Sequence, residues 1–532
     1  MSDIQINQPK TGSKIEEKYE LKRDINWTGA FWVASGVPAL VLFSIGGIAA
    51  TIGTPSWLVW VLSVMIGFSQ SFTYAEIAGL FPNKSGGASV YGAIAWVRYN
   101  KYVAPLSTWC NWFAWSPVLA IGTGLAAGYI LTALFPADAL VNTWQLTLID
   151  LNFLKDDLTL RIDATFIIGS LILLLVFGAQ HYGILRAAKI QMIMAIVALL
   201  PLILIGLIPL LTGDVVKGNF APFVPISGAW NLEGWQLFIG GMFIAAWSTY
   251  AFETSICYTR EFKDPKRDTF KAILYSGLLC IFVFTIVPLS FQGALGLEGM
   301  LEPGIVEGSG VAQAMAKMVG GGAFVANLIV IMLILALVLA VMTSMAGSAR
   351  TLYQASVDGW LPKYLSKVNK HGAPTNAMWS DLGFNLILLM MSDYLFVLAI
   401  SNTGYIIFNF LNLNAGWIHR IDNSHVERPW RAPTFLIGFN TFLAFLNVVF
   451  LGIGANVWGK GTLLSGIIFA VLIIPVFLYR HHITDKSKYP EKMLEDLQLT
   501  NDNLGEKRAG WLPHITVAAG ITLAVVSNII FS

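Results

Sequence analysis

Long apolar runs separated by short polar connections recur along the whole of this chain. A helix that crosses the hydrocarbon of a bilayer takes about 20 mainly apolar residues, and a soluble fold has no use for so many runs of that length. The pattern predicts an all-α integral membrane protein of about 13 transmembrane helices, over 29–52, 55–80, 103–134, 163–181, 188–212, 234–258, 271–295, 319–349, 376–392, 395–418, 433–456, 462–480 and 511–531. The third and eighth are long enough to tilt or to run out into water, and 272–295 is the cleanest single span. The first 26 residues are polar and lack the short apolar run and small-residue cleavage site of a removable signal. The first span is therefore expected to act as its own insertion signal.

Composition agrees with the pattern: 56% of residues are hydrophobic and only 12% charged, about half the charged fraction of a soluble domain. The net charge of +2 says little, but the placement of charge says more. With the N-terminus inside, only Lys155, Arg161, Lys217, Lys317 and Lys460 of the 33 Lys and Arg residues fall in outer connections. That asymmetry predicts a cytoplasmic N-terminus in a cell membrane, with the C-terminus outside after an odd number of spans. The stretch 481–510, rich in Lys, Glu and Asp, is expected to be a solvated cytoplasmic linker before the last helix. Cys110, Cys257 and Cys280 lie in apolar stretches without paired spacing, and the seven histidines are scattered. Neither a metal site nor a disulfide framework is expected. There is no phosphate-binding GxxxxGK[ST] loop, no paired catalytic groups and no basic nucleic-acid surface. The expectation is a carrier of a small polar solute, with no cofactor, and neither an enzyme nor an ATP-driven pump. An ion channel should show a filter of repeated carbonyl or acidic rings. A nutrient sensor built on a transporter should carry a long terminal signalling region, and 26 polar residues are few for one.

Many carriers consist of two inverted halves whose broken helices meet at mid-membrane. Five spans followed by five more make the first and sixth equivalent, over 27–212 and 213–422, with two helices at 423–480 and an extra one at 511–532 after the linker. Both equivalent spans carry marks of interruption. The first contains Ser35-Gly36-Val37-Pro38, and Pro38 removes a backbone donor in mid-helix. The sixth contains Gly240-Gly241 and then Trp247-Ser248-Thr249-Tyr250-Ala251-Phe252-Glu253. Gly and Pro also kink membrane helices without any further role, and it is their coincidence at equivalent positions that points to a binding region. Glu253 is the sharpest residue of the chain, because a carboxylate inside an apolar helix must be paired, protonated or turned toward water. It is a candidate proton carrier; the plainer alternative is a protonated acid that ties two helices together. Glu76, Arg260 and Arg350 lie at cytoplasmic span ends, where opposite charges can pair between helices and separate as a gate opens.

Several ordered pieces then resemble the amino acid–polyamine–organocation transporter superfamily. They are Ala75-Glu76 to Pro82 with Gly86-Gly87, the run Lys263-Asp264-Pro265-Lys266-Arg267, the stretch Arg350 to Pro362 with Gly372-Ala373-Pro374-Thr375-Asn376, and Glu427-Arg428-Pro429-Trp430-Arg431-Ala432-Pro433. The resemblance implies a LeuT-like fold of two inverted five-helix repeats plus additional helices. It implies transport of an amino acid, polyamine or other organic cation, by proton symport or by substrate exchange. The sixth span is most similar to that of the arginine–agmatine exchangers. Carried over residue by residue, Trp247 is the stacking aromatic, Ser248 and Tyr250 line the site, and Glu253 senses protons. Ala114 and Trp115 fall beside the substrate, and Ser344 falls at a distal pocket position. Gly36, Val37, Pro38 and Val41 would form the first-span side of the site. Two departures stand out. Where the family unwinds its first helix at a glycine triplet, alignment back from Glu76 places Val41-Leu42-Phe43, with Gly36-Val37-Pro38 slightly earlier. A decarboxylated amine therefore stands beside an amino acid as a candidate substrate. The lysine that many proton-coupled members carry in the fifth span is replaced by Ala198.

Overall fold

The computed structural model describes residues 20–136, 138–459 and 461–531. Residues 1–19 of the expected N-terminal segment, Lys460 and Ser532 lie outside the described part. Eleven of the described helices are long and apolar enough to cross a membrane, from Trp27–Ile52 to Leu512–Ile530. The remaining two expected spans are present but atypical. The sixth is Leu232–Thr249 continued by a 3-10 stretch, Ala251–Glu261, and the ninth is the 15-residue helix Thr375–Leu389. Several boundaries differ from the hydropathy reading for capping reasons. The seventh span begins at Pro265, behind an Asp264 cap that accepts from the Arg267 N–H, and ends where expected, at a kink at Gly296 (φ 68°) that precedes a short helical piece to Met300. The fifth begins at Ile184, directly after Gly183, whose φ of 92° turns the chain out of the fourth.

Two groups of helices organise the molecule. The second span packs on the sixth and seventh, and the first span packs on the same two. Separately, the third packs on the fourth and eighth, and the ninth packs on the third, fourth and eighth. Each member of a group has its counterpart five helices along the chain, as expected of two interleaved five-helix repeats. The fifth span packs against the first, seventh and eighth, and the tenth against the second, third and sixth, so they join the groups. The eleventh lies on the sixth and tenth, and the thirteenth lies on the eleventh.

Two features were not foreseen. The connection between the third and fourth spans folds into an antiparallel ribbon, Gln145–Asp150 with Thr159–Asp163. It is tied to the end of the ninth span by the Arg161 N–H to the Met390 carbonyl at 2.8 Å and the Ser392 N–H to the Thr159 carbonyl at 2.9 Å. The linker, expected to be solvated, instead lies against the opposite end of the bundle, with Met493, Leu494 and Leu497 buried. The two ends are called the ribbon end and the charged end below.

Candidate functional site

The first span is broken where Gly36-Val37-Pro38 suggested. Helix Trp27–Ala34 stops, a 3-10 turn Val37–Leu40 follows, and a second helix runs Val41–Ile52. Val41-Leu42-Phe43 are already helical, so the break precedes the position that alignment from Glu76 had assigned to it. The eighth span packs directly on this break. A Cβ at Gly36 would stand 2.5 Å from both the Leu339 carbonyl oxygen and Thr343 Oγ1, so no other residue fits there. The Gly36 N–H donates to Thr343 Oγ1 at 3.2 Å, and that hydroxyl donates to the Val33 carbonyl at 2.6 Å.

The sixth span breaks at the same level. Its helix ends at Thr249, and the chain tightens into eleven residues of 3-10 geometry through Glu253. Ser248 Oγ donates to the Leu40 carbonyl at 3.3 Å, which brings the two breaks together. The Trp247 indole N–H donates to the Ala114 carbonyl at 2.9 Å, and its ring lies 5.8 Å from that of Phe43, centroid to centroid. Ser344 Oγ donates to the Trp115 carbonyl at 2.6 Å, and the Trp115 indole donates to Glu253 Oε1 at 2.9 Å. Residues expected from four different spans thus meet in one hydrogen-bonded cluster, and all of them are buried. Tyr250 faces the other way, its hydroxyl donating to Asn447 Oδ1 of the eleventh span at 3.1 Å. Val37, Pro38 and Val41 are buried in and beside the first-span turn.

Glu253 is 1% exposed, with no cation bonded to it among the described residues. Its Oε2 makes no hydrogen bond, and Asn111 and the Ala88 backbone are its polar neighbours. It is not the only buried carboxylate of the core. Asp381, fully buried in the ninth span, accepts from Trp112 Nε1 at 2.9 Å, Ser116 Oγ at 2.5 Å and Ser348 Oγ at 2.5 Å. That cluster fixes the third and eighth spans one residue beyond Trp115 and one turn beyond Ser344. The arrangements differ: both oxygens of Asp381 accept hydrogen bonds, whereas Glu253 Oε2 accepts none and has only the Ala88 backbone and Asn111 as polar neighbours.

The three charged span-end residues are all paired with distant parts of the chain, with partners that hydropathy alone did not name. Glu76 receives a two-pronged contact from Arg420, at 2.8 and 2.6 Å, a third bond from Arg428 at 3.1 Å and the Ala432 N–H at 2.8 Å. Arg350 grips Glu261 through Nε and, at 2.8 Å, through Nη2, and lies over the Tyr258 ring. Arg260 bonds Glu20 at 2.8 Å. A further pair, Lys84 with Asp358 at 2.6 Å, is fully buried. Removing one partner from a buried pair leaves an uncompensated charge, at a cost of about 3–5 kcal/mol.

Residues 25–478 match the amino acid permease family. The chain belongs to that family. It is a multi-pass membrane transporter and not an enzyme. Among similar proteins is the branched-chain amino acid permease BcaP of Lactococcus lactis subsp. cremoris, 23% identical over 486 residues, covering 87% of this chain and 97% of that one. Its counterpart in Bacillus subtilis is 24% identical over 360 residues, 66% of this chain and 67% of that one. The polyamine transporter PUT1 of Oryza sativa subsp. japonica is 22% identical over 460 residues, 81% of this chain and 75% of that one. In this permease the paired breaks, the Trp247–Ala114 contact and Glu253 all fall within the matched region.

Proposed function

We propose that this permease is a secondary transporter working by alternating access, with its solute bound between the breaks of the first and sixth spans. The observation that carries this reading is the Ser248–Leu40 contact, which brings the 3-10 turn of the first span against the helix end of the sixth, beside Trp247. Half-helix ends leave amides and carbonyls without helical partners, and the partial charges there suit a zwitterion. The charged end is the cytoplasmic one, as the distribution of Lys and Arg supports. The ion pairs of Glu76, Arg350 and Arg260 then form the inner gate, closed in this structure.

The substrate is an amino acid with an apolar side chain. Val37, Val41, Phe43 and Ala114 supply apolar surface around the break, and Trp247 supplies a flat face. The names of the bacterial relatives point the same way. The second reading is an organic amine, favoured by the unbonded Glu253 oxygen and by the plant relative's name. Glu253 links transport to protons, as symport or as a pH response of exchange. Uptake and counterflow in proteoliposomes, with radiolabelled leucine, isoleucine, valine, arginine and putrescine, decide between the readings. Saturable leucine counterflow competed by valine is the expected result. Counterflow of putrescine alone would replace the first reading with the second.

A further inference from the structure

The permease family match stops at residue 478, and the chain then continues into the charged end of the molecule. The segment after the twelfth span follows a definite course. Arg480 Nη1 donates to the Leu361 carbonyl at 2.5 Å, and Pro490 presses on Gly359, so the segment starts on the exit of the eighth span. The short helix Glu491–Leu494 follows, and its Lys492 lines a cleft together with Glu20, Asn83, Arg260 and Gln354. Lys492 bonds Glu20, ahead of the first span, at 3.1 Å. The Asn83 amide, in the connection after the second span, donates to Asp496 Oδ1 at 2.8 Å. Beneath these contacts lies the buried Lys84–Asp358 pair, and Lys84 Nζ also reaches the Lys492 carbonyl at 3.4 Å. The return leg is held by the Ala509 N–H on Asp422 Oδ1 at 3.0 Å, at the exit of the tenth span. The thirteenth span anchors the far end, with Asn528 Nδ2 donating to the Gly452 carbonyl of the eleventh at 2.9 Å.

The segment therefore fastens elements of one helix group, ahead of the first span and after the second, to the eighth span of the other. These are the two groups that must part at this end if solute is to leave there. Met493 is 0% exposed and Leu494 and Leu497 are 2% exposed, so the segment is packed and not merely adjacent. We propose that residues 485–509 form a latch across the inner mouth, which must lift from Asn83 and Glu20 each time the mouth opens. The thirteenth span keeps the latch tethered while it is open and returns it to the same place. This latch rests on the transport reading above.

The test uses the full chain with Asn83→Cys and Asp496→Cys, in proteoliposomes, bridged by a short bifunctional methanethiosulfonate. The native cysteines are buried and do not compete. Before bridging, the variant should transport, and its own unbridged rate is the reference. Bridging should lower uptake at least tenfold while solute still binds, and dithiothreitol should restore it. Glu20→Cys with Lys492→Cys, both half-exposed, provides a second pair should the first assemble poorly, and because it also removes the Glu20–Arg260 pair its bridged rate is read against its own unbridged rate. Either bridged protein transporting at the unbridged rate overturns the latch and leaves the transport reading standing. A folded wild type that moves no solute of the panel overturns the transport reading, and the latch with it.

Discussion

At the scale of single residues, the account rests on how buried polar groups are satisfied. An unpaired carboxylate at mid-membrane costs about 3 kcal/mol or more, and only a few arrangements keep it there. Asp381 is held by donors on both oxygens, which suits a fixed structural role. Glu253 has one donor, Trp115, and an unbonded Oε2. On the proposed reading, its protonation is the one that transport would use. Glu253→Gln keeps the shape and the bond from Trp115 while abolishing titration. The variant should fold, bind solute within a few-fold of wild type and show a flattened pH–rate profile between about pH 5 and 8. A profile that overlays that of wild type makes Glu253 structural. Glu253 was legible in the sequence because a lone acid in an apolar run is visible locally. Asp381 was not, because it lies near the start of a short span, where an acid reads as interfacial. The partners of Glu76 and Arg350 were hidden for a different reason: Arg420 lies 344 residues from Glu76, and Glu261 lies 89 residues from Arg350.

At the scale of elements, apolar length gave the spans and small residues gave the breaks. A run of about 20 apolar residues is a local property, and its helical fate follows from the need to satisfy every backbone group inside the bilayer. The break of the first span was legible through Pro38 and Gly36, but its function as a contact surface was not. Only the packed structure shows that the Leu339 carbonyl and Thr343 occupy the space a Cβ would need at Gly36. Gly36→Ala should therefore force the eighth span away from the break, an overpacking cost of about 1–3 kcal/mol. The expected outcome is a lowered Tm together with weakened solute binding, because the same turn forms the site. An alanine variant with wild-type Tm and affinity would show that the eighth span does not rest on the break. The ribbon and the linker escaped the hydropathy reading because long-range contacts hold them: Met390 and Ser392 for the first, Asn83 and Lys84 for the second.

At the scale of the whole molecule, orientation and closure are the outstanding claims. On the proposed orientation, drawn from the distribution of Lys and Arg, the linker is inside and the connection near Gly218 outside. Both positions are exposed in the structure, so Gly218→Cys and Ser487→Cys report sidedness without disturbing the core. In intact cells an impermeant maleimide should label Gly218→Cys and leave Ser487→Cys untouched until the membrane is opened. Equal labelling from outside contradicts the orientation. At the charged end, buried ion pairs join the connection after the second span to the eighth span and the sixth span to the eighth, and the proposed mechanism takes these as a closed gate.

The central claim is that solute binds at the paired breaks, against Trp247, and the most direct measurement is the affinity of Trp247→Leu for the transported solute. Leucine keeps the position apolar but removes the flat indole face and its bond to the Ala114 carbonyl. Losing a stacked amine in a desolvated site is worth about 1–2 kcal/mol, roughly a tenfold fall in affinity. The account predicts that fall in equilibrium binding to the purified variant, with Tm within a few degrees of wild type. An unchanged affinity, or a loss of Tm with no specific loss of binding, contradicts it.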